Sequence, residues 1–330
     1  MSTQLKPFKS ILSDGITKFI LHKRALGMRY RVEEGVYYRF DQFLRKQEIK
    51  TITAIKPQII DDFLASQPRK GHRSYNHLFG TIRRLFAWLV LQGLFPESPV
   101  HGKFRRPIVQ KTPFIFDQKV MLRLLECASN LKDNPRAKMR GITYRTIFVL
   151  LYGLGLRVGE VSRLYCTDVD FERQLLVIRE TKFSKSRLLP FGPRIYKMLN
   201  DYLEVRQHND PAFSSSISPV FSFVKGRPIC PGTITQTFQS LVPRLHLKIP
   251  FGLSRPCLHC LRHSFAVGTL LRWYRSGINP QSRLLNLSTF MGHVSPESTA
   301  VYLSIGAELL QEANNRFEKF ANATIKDDSP

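Results

Sequence analysis

Residues 291–303 read MGHVSPESTAVYL, with His293 nine residues before Tyr302. Upstream, LHCLRHSFA sets His259, Arg262 and His263 at i, i+3 and i+4, one face of a helix. In GLGLRVGEV, Arg157 follows a glycine-punctuated helix end, and Glu160 lies three residues on. In RETKFSKSRLLPF, Lys182 and Lys185 stand at the two ends of a polar turn between apolar runs. Two guanidiniums can grip the non-bridging oxygens of a phosphodiester. They also stabilise the charge that builds on five-coordinate phosphorus. Imidazoles accept and donate the protons that move. A phenol is a poor nucleophile near its free pKa of about 10, and neighbouring cations favour its ionised form. A hairpin lysine can protonate the leaving alkoxide. Arginines do the work of a metal in such a scheme, so no metal and no cofactor is expected.

Singly, each pattern also has an ordinary structural explanation. An arginine after a glycine turn is commonly a surface residue, a His-x-x-Arg pair is commonly solvated, and a late tyrosine is commonly core. It is the ordered set, arginine, hairpin lysine, His-x-x-Arg, Gly-His and tyrosine, that argues for phosphoryl chemistry. Three other signals carry less. Cys257-x-x-Cys260 lacks the second ligand pair of a zinc site. The glycines of GLGLRVGE follow a helix rather than a strand, which excludes a dinucleotide fingerprint. The acidic residues form no paired-carboxylate motif for two-metal nuclease chemistry.

At these residues the chain resembles the tyrosine recombinase (phage integrase) family, in the manner of transposon-borne integrases. GLGLRVGEV is similar to the family's first arginine motif, RETKFSKSRLLPF to its lysine-bearing hairpin, LHCLRHSFA to its His-x-Leu-Arg-His box, and MGHVSPESTAVYL to its Gly-His and tyrosine box. The resemblance implies that Tyr302 attacks the scissile phosphate and forms a 3′-phosphotyrosyl link. It implies that Arg157, Arg262, His259 and His293 surround the phosphate and that Lys182 is the general acid, with Lys185 as the other hairpin lysine. Glu160 and His263 are implied as supports behind them. The fold implied is mainly α with a small antiparallel β-sheet. A helical core-binding (SAM-like) domain and a mixed α/β catalytic domain would form a C-shaped clamp on double-stranded DNA. The family's reaction runs in a homo-tetramer on two DNA sites, and sister recombinases are possible co-subunits. The segment between Arg262 and His293 is longer than in compact members.

The elements that must position these residues are mostly helical. YYRFDQFLRKQ carries Tyr37, Phe40, Phe43 and Leu44 at helical spacing, and a second helix opens near Pro57. SYNHLFGTIRRLFAWLVLQGLF carries Leu78, Ile82, Leu85, Phe86 and Leu89 on one stripe, with Gly93 as its stop. Around that helix lie Arg69, Lys70, Arg73, Arg83 and Arg84 with no intervening acid; they form either a solvated helix face or a DNA-facing surface, and on the second reading Tyr75, Asn76 and His77 are available for groove or sugar contacts. A basic, proline-bearing linker, HGKFRRPIVQKTP, follows, adding Lys103, Arg105 and Arg106. The domains are expected over 1–105 and 114–330, with 106–113 between them. In the second, Asp117 caps a helix, Asn134-Pro135 opens another, QLLVIRET and RLLPF pair as a hairpin, and helices follow. The last, GAELLQEANNRFEKF, has an apolar stripe that would serve either its own domain or a neighbouring subunit.

The 330-residue chain carries 50 Lys and Arg against 25 Asp and Glu, a formal charge of +25. That excess is the footprint of a partner with many phosphates. The basic residues are spread out rather than gathered on one amphipathic helix, which argues against a membrane surface. IFVLLYGLGL is too short to span a bilayer, and the N-terminus lacks a signal-peptide apolar run. A cytoplasmic, bacterial nucleoid-associated protein with reduced cysteines is expected. Two rival readings stand beside strand exchange: a type IB topoisomerase-like enzyme, and a DNA-binding partner subunit that does not cleave.

Overall fold

The computed structural model describes residues 7–69, 71–106, 111–179, 186–210, 213, 218–224 and 226–304. The chain divides into two units, Met1–Gln110 and Lys111–Pro330. Among the described residues the fold is mainly α with one small antiparallel sheet, and no helix is long and apolar enough to cross a membrane.

The first unit is built from α1 (Ser13–Ala25), α2 (Arg31–Lys46), α3 (Pro57–Ser66) and α4 (His72–Leu91). Its core is the apolar stripes the spacing predicts. Tyr37, Phe40 and Leu44 of α2 meet Leu78, Ile82, Leu85, Phe86 and Leu89 of α4, all buried. Phe40 meets the Phe63 ring edge-on at 4.8 Å, a contact geometry worth more than its buried area alone. Gly93 has φ +71°, as a residue just beyond a helix end requires. The basic stretch after α4 does not run free from residue 101. Asn76 exchanges two 2.8 Å hydrogen bonds with the backbone of Arg105, and Phe104 packs edge-on against Phe79 at 5.1 Å.

In the second unit, α5 (Gln118–Ser129) starts where expected, with Asp117 accepting from the Val120 amide at 2.7 Å. Asn134-Pro135 does not open the next helix. Asn134 and Ala137 pair both ways through their backbones at 3.1 Å, and Asp133 instead accepts from the amides of Met139 and Arg140, at 2.9 and 2.8 Å. Those amide bonds hold the Asp133 carboxyl below its usual range. The helix α6 (Arg140–Gly153) therefore begins five residues later than Pro135. α7 (Val158–Ser162) turns off its end. The hairpin is β2 (Leu175–Ile178) and β3 (Arg187–Pro190), with Ile178 opposite Arg187, and an unpredicted two-residue strand β1 (Val169–Asp170) adds to β2. The tip of the hairpin, with Lys182 and Lys185, lies outside the described residues. α8 (Pro193–Asn209), α9 (Pro231–Leu241), α10 (Leu258–Arg275), α11 (Leu284–Met291) and the short α12 (Glu297–Ala300) complete the unit. The expected last helix also lies outside the described residues.

Candidate active site

Three corners of the second unit supply the site. The first is the junction of α6 and α7. Gly155 there has φ +61° and packs against Phe265 of α10, so a side chain would be both strained and crowded. Arg157 immediately precedes α7 as its cap residue. Its amide and its guanidinium both donate to Glu160, at 2.9 and 2.8 Å, and its second terminal nitrogen donates to the Gly292 carbonyl at 2.8 Å.

Glu160 has a side chain only 2% exposed. It is held by a second arginine, Arg187 at the start of β3, whose two terminal nitrogens each donate to one carboxylate oxygen at 3.0 Å. Burial alone pushes the carboxyl up, but Arg187, followed by Arg157, brings it down to about 2. Arg187 also donates to the Phe290 carbonyl at 3.0 Å. Its guanidinium lies against Gly292, where a Cβ would come within 2.7 Å of it. Glu160 thus ties the α7 corner to the hairpin and to the end of α11.

The second corner is the first half of α10. Arg262 is 1% exposed and donates to the carbonyls of Gly155 and Met291, the latter at 2.7 Å. Its buried Nε–H has no acceptor among the described residues. Burial, then the charge of Arg157, lowers its pKa to about 10, and Glu160 and Tyr302 oppose the shift. The exposed His259 meets the ring of His263 edge-on, at 4.5 Å. Although the residue as a whole is exposed, partial desolvation of its ring, then Arg262 and Arg157, lowers the His259 pKa.

The third corner is α11 to α12. Gly292, at φ +67°, ends α11. His293 Nδ1 pairs with Thr299 Oγ1 at 2.6 Å, and its ring stacks toward Tyr302 at 6.3 Å. Tyr302 is 4% exposed, among Val267, Leu270, Leu271, Leu287 and Met291. Its hydroxyl is not sealed in that cluster, because it pairs with His263 Nδ1 at 2.8 Å. Burial raises the phenol's pKa, while Arg262 and Arg157 pull it down. Burial also brings both His263 and His293 to about 4, helped by His259 and Arg262 in the first case and led by Arg262 in the second. Both imidazoles are therefore neutral at pH 7.

The structure thus brings together Arg157, Glu160, His259, Arg262, His263, His293 and Tyr302. His263, expected behind the reacting groups, touches the phenol itself. Two participants were missed. Arg187 stands at the head of an apolar strand and has no periodic signature. Thr299 looks like an ordinary residue of a helix start. Among the described residues no group of three or more His, Cys, Asp and Glu is arranged to hold a metal ion.

The basic residues expected to face DNA lie on and beside α4. Arg73, His77, Arg83, Arg84, Lys103 and Arg106 are exposed, and Arg69 is half-buried. Lys70 lies outside the described residues. Asn76 is not available for a groove contact, because both ends of its amide are spent on Arg105. Tyr75 stacks on Phe79 at 6.0 Å, with the Arg105 guanidinium 3.8 Å over its ring.

The model of the phage integrase family matches residues 115–308, more than half of the chain. The chain belongs to the phage integrase family. Within this family of tyrosine recombinases it is 31% identical over 314 residues to y4rB of Sinorhizobium fredii, an integrase/recombinase by name, covering 94% of this chain and 98% of that one. It is 27% identical to the tyrosine recombinase XerA of Pyrococcus horikoshii, over 76% of each chain. Among solved structures, the Tn1549 transposon integrase bound to a circular intermediate DNA aligns with a TM-score of 0.66 at 16% identity, covering 94% of this chain and 100% of that one. The lambda integrase dimer on a core site aligns with a TM-score of 0.62 at 15% identity, over 88% and 76%. At those identities the likeness is one of fold. As a family member the chain is a tyrosine-type site-specific recombinase.

Proposed function

We propose that this recombinase cleaves and rejoins double-stranded DNA through a 3′-phosphotyrosine intermediate on Tyr302, in the integration, excision or transposition of a mobile element. Arg157 and Arg262 hold the non-bridging oxygens of the scissile phosphate, with His259 and His293 beside them. Tyr302 Oη bonds to phosphorus as the 5′-oxygen leaves. The phenol proton passes to His263 Nδ1, and the 5′-oxygen takes its proton from Lys182 of the hairpin. The phosphodiester bond energy is kept in the new link, so the 5′-hydroxyl of another strand can reverse the step without ATP. Exchange takes place in a tetramer on two DNA sites, and Arg73, Arg83, Arg84, Lys103 and Arg106 meet the phosphates of each arm.

The observation that carries this reading is the Tyr302 hydroxyl 2.8 Å from a neutral imidazole, on the same helix as a buried arginine whose Nε–H lacks an acceptor. A buried, uncompensated guanidinium donor is a costly feature for a purely structural residue and a natural one for an anion site. The experiment is suicide-substrate trapping. Half-sites that lose the 5′-hydroxyl strand should accumulate covalent wild-type complex, and Tyr302→Phe should form none while keeping its DNA affinity. Wild type that never traps on any cognate site supports the non-cleaving subunit instead. Trapping and relaxation on a single duplex without synapsis of two sites supports the topoisomerase-like reading.

A further inference from the structure

Beside the active site lies a pair of thiols that the chemistry above does not use. Cys257 immediately precedes α10 and is exposed, whereas Cys260, in the first turn, is 1% exposed. Their sulfurs are 3.3 Å apart. The two differ in the way an attacking thiol and a resolving thiol must. The hydrogen bond from Cys260, followed by the backbone amides of Cys260 and His259 at the open start of the helix, brings the Cys257 thiol down to about 6 against the cost of burial. Cys260 is shifted upward, by that same hydrogen bond first and then by burial, so it keeps its proton. All five cysteines of the chain are unbridged.

We propose that Cys257 and Cys260 form a redox-active dithiol, which closes to a disulfide by exchange with a low-molecular-weight disulfide and in closing displaces His259 and silences the recombinase. The Cys257 thiolate attacks one sulfur of the small disulfide, forms a mixed disulfide and releases one thiolate. Cys260 then attacks the Cys257 sulfur, its proton leaving with the second small thiol. The protein loses two electrons and the Cys260 proton; the small disulfide gains both electrons and leaves as one thiol and one thiolate, and that thiolate takes from solvent the proton that Cys257 gave up on ionising.

Closure must reach the active site because of what the ring contains. His259 lies between the two cysteines. Bonding draws the sulfurs from 3.3 Å to about 2.05 Å. Cys260 is locked in the core, so the movement falls on Cys257 and on the backbone ahead of Cys260, which carries Leu258 and His259. The effect on activity rests on the role proposed above for His259, whereas the thiol chemistry does not.

The test equilibrates the full-length recombinase with glutathione and glutathione disulfide at graded ratios, then quenches, alkylates and maps thiols by mass. The expected result is a Cys257–Cys260 disulfide that appears as the buffer becomes oxidising and disappears with dithiothreitol, with the His259 imidazole signals moving in step. Half-site trapping should fall about tenfold or more on oxidation and recover on reduction. Cys257→Ser, changed at an exposed position, should trap normally and ignore the redox buffer, and Cys230→Ser should respond like wild type. The proposal is overturned if both thiols stay alkylatable, if Cys257 stops at a mixed disulfide, or if the disulfide forms while the His259 signals stay fixed. A recombinase that traps nothing even when reduced counts against the phosphotyrosine reading alone, since mass and imidazole signals still decide the dithiol.

Discussion

Removing the Arg187 side chain leaves Glu160 charged, 2% exposed, and with one guanidinium partner in place of two. Breaking such a buried pair by deleting one member costs about 3–5 kcal/mol, because the remaining charge is stranded. Arg187→Ala should therefore lower the unfolding free energy by about 3 kcal/mol in urea titrations. Arg187→Lys should recover only part, since a point charge cannot bridge both oxygens. The pH dependence follows from the same group. Its folded pKa of about 2 lies below the ordinary glutamate value of 4.5, so its contribution is complete above pH 4.5 and is lost as pH falls through 2. By linkage that contribution is about 3 kcal/mol, and the stability curves of wild type and Glu160→Gln should converge toward pH 2. The histidines run the other way in charge but share the direction in stability. His263 and His293, each near 4 when folded, take up protons more readily when unfolded, so stability drops between about pH 6.5 and pH 4. Their imidazole resonances should titrate with midpoints near 4 rather than near 6.5.

Helix against helix, Gly141 in the first turn of α6 sets how closely α5 can approach. A Cβ there would overlap the backbone carbonyl oxygen of Ser129, the last residue of α5. Alanine is favoured over glycine within a helix by about 1 kcal/mol. A backbone overlap cannot be relieved by a rotamer change, and forced repacking costs about 1–3 kcal/mol or more. The clash should win, and Gly141→Ala should lower the melting temperature. Where apolar stripes dictate structure, the elements could be read directly: α2 and α4 through their buried positions, α5 through Asp117. The reading failed where the determinant is not periodic. The start of α6 depends on Asp133 reaching forward to two amides, while Asn134-Pro135 is a better helix-start signal by residue type alone. β1 has two residues, too few to show alternation. At the site, the residues that the fold gathers around Arg262 and Tyr302 were legible because their order along the chain is unusual. Arg187 and Thr299 were not, because each matters only through partners distant in sequence or hidden in a local turn. Asn76 looked free for the converse reason, its partner Arg105 being 29 residues away.

Across the whole molecule, a charge of +25 makes affinity for DNA an ion-exchange quantity. The logarithm of the binding constant should fall linearly with the logarithm of salt, by about 0.9 for each phosphate neutralised. Replacing Arg83 or Arg106 by alanine should flatten that slope by about 1 in fluorescence anisotropy titrations. Asn76→Ala should instead loosen the segment around Arg105 and reduce stability. Attraction of this kind draws the chain to any stretch of a chromosome, cognate or not. What such a stretch meets is a phenol only 4% exposed and already engaged with His263. On the chemistry proposed for Tyr302, an ordinary encounter is therefore harmless, and breakage is reserved for the rarer encounter that coaxes this side chain out of its resting place. Genome integrity would then be guarded by where one phenol waits, before any sequence has been read.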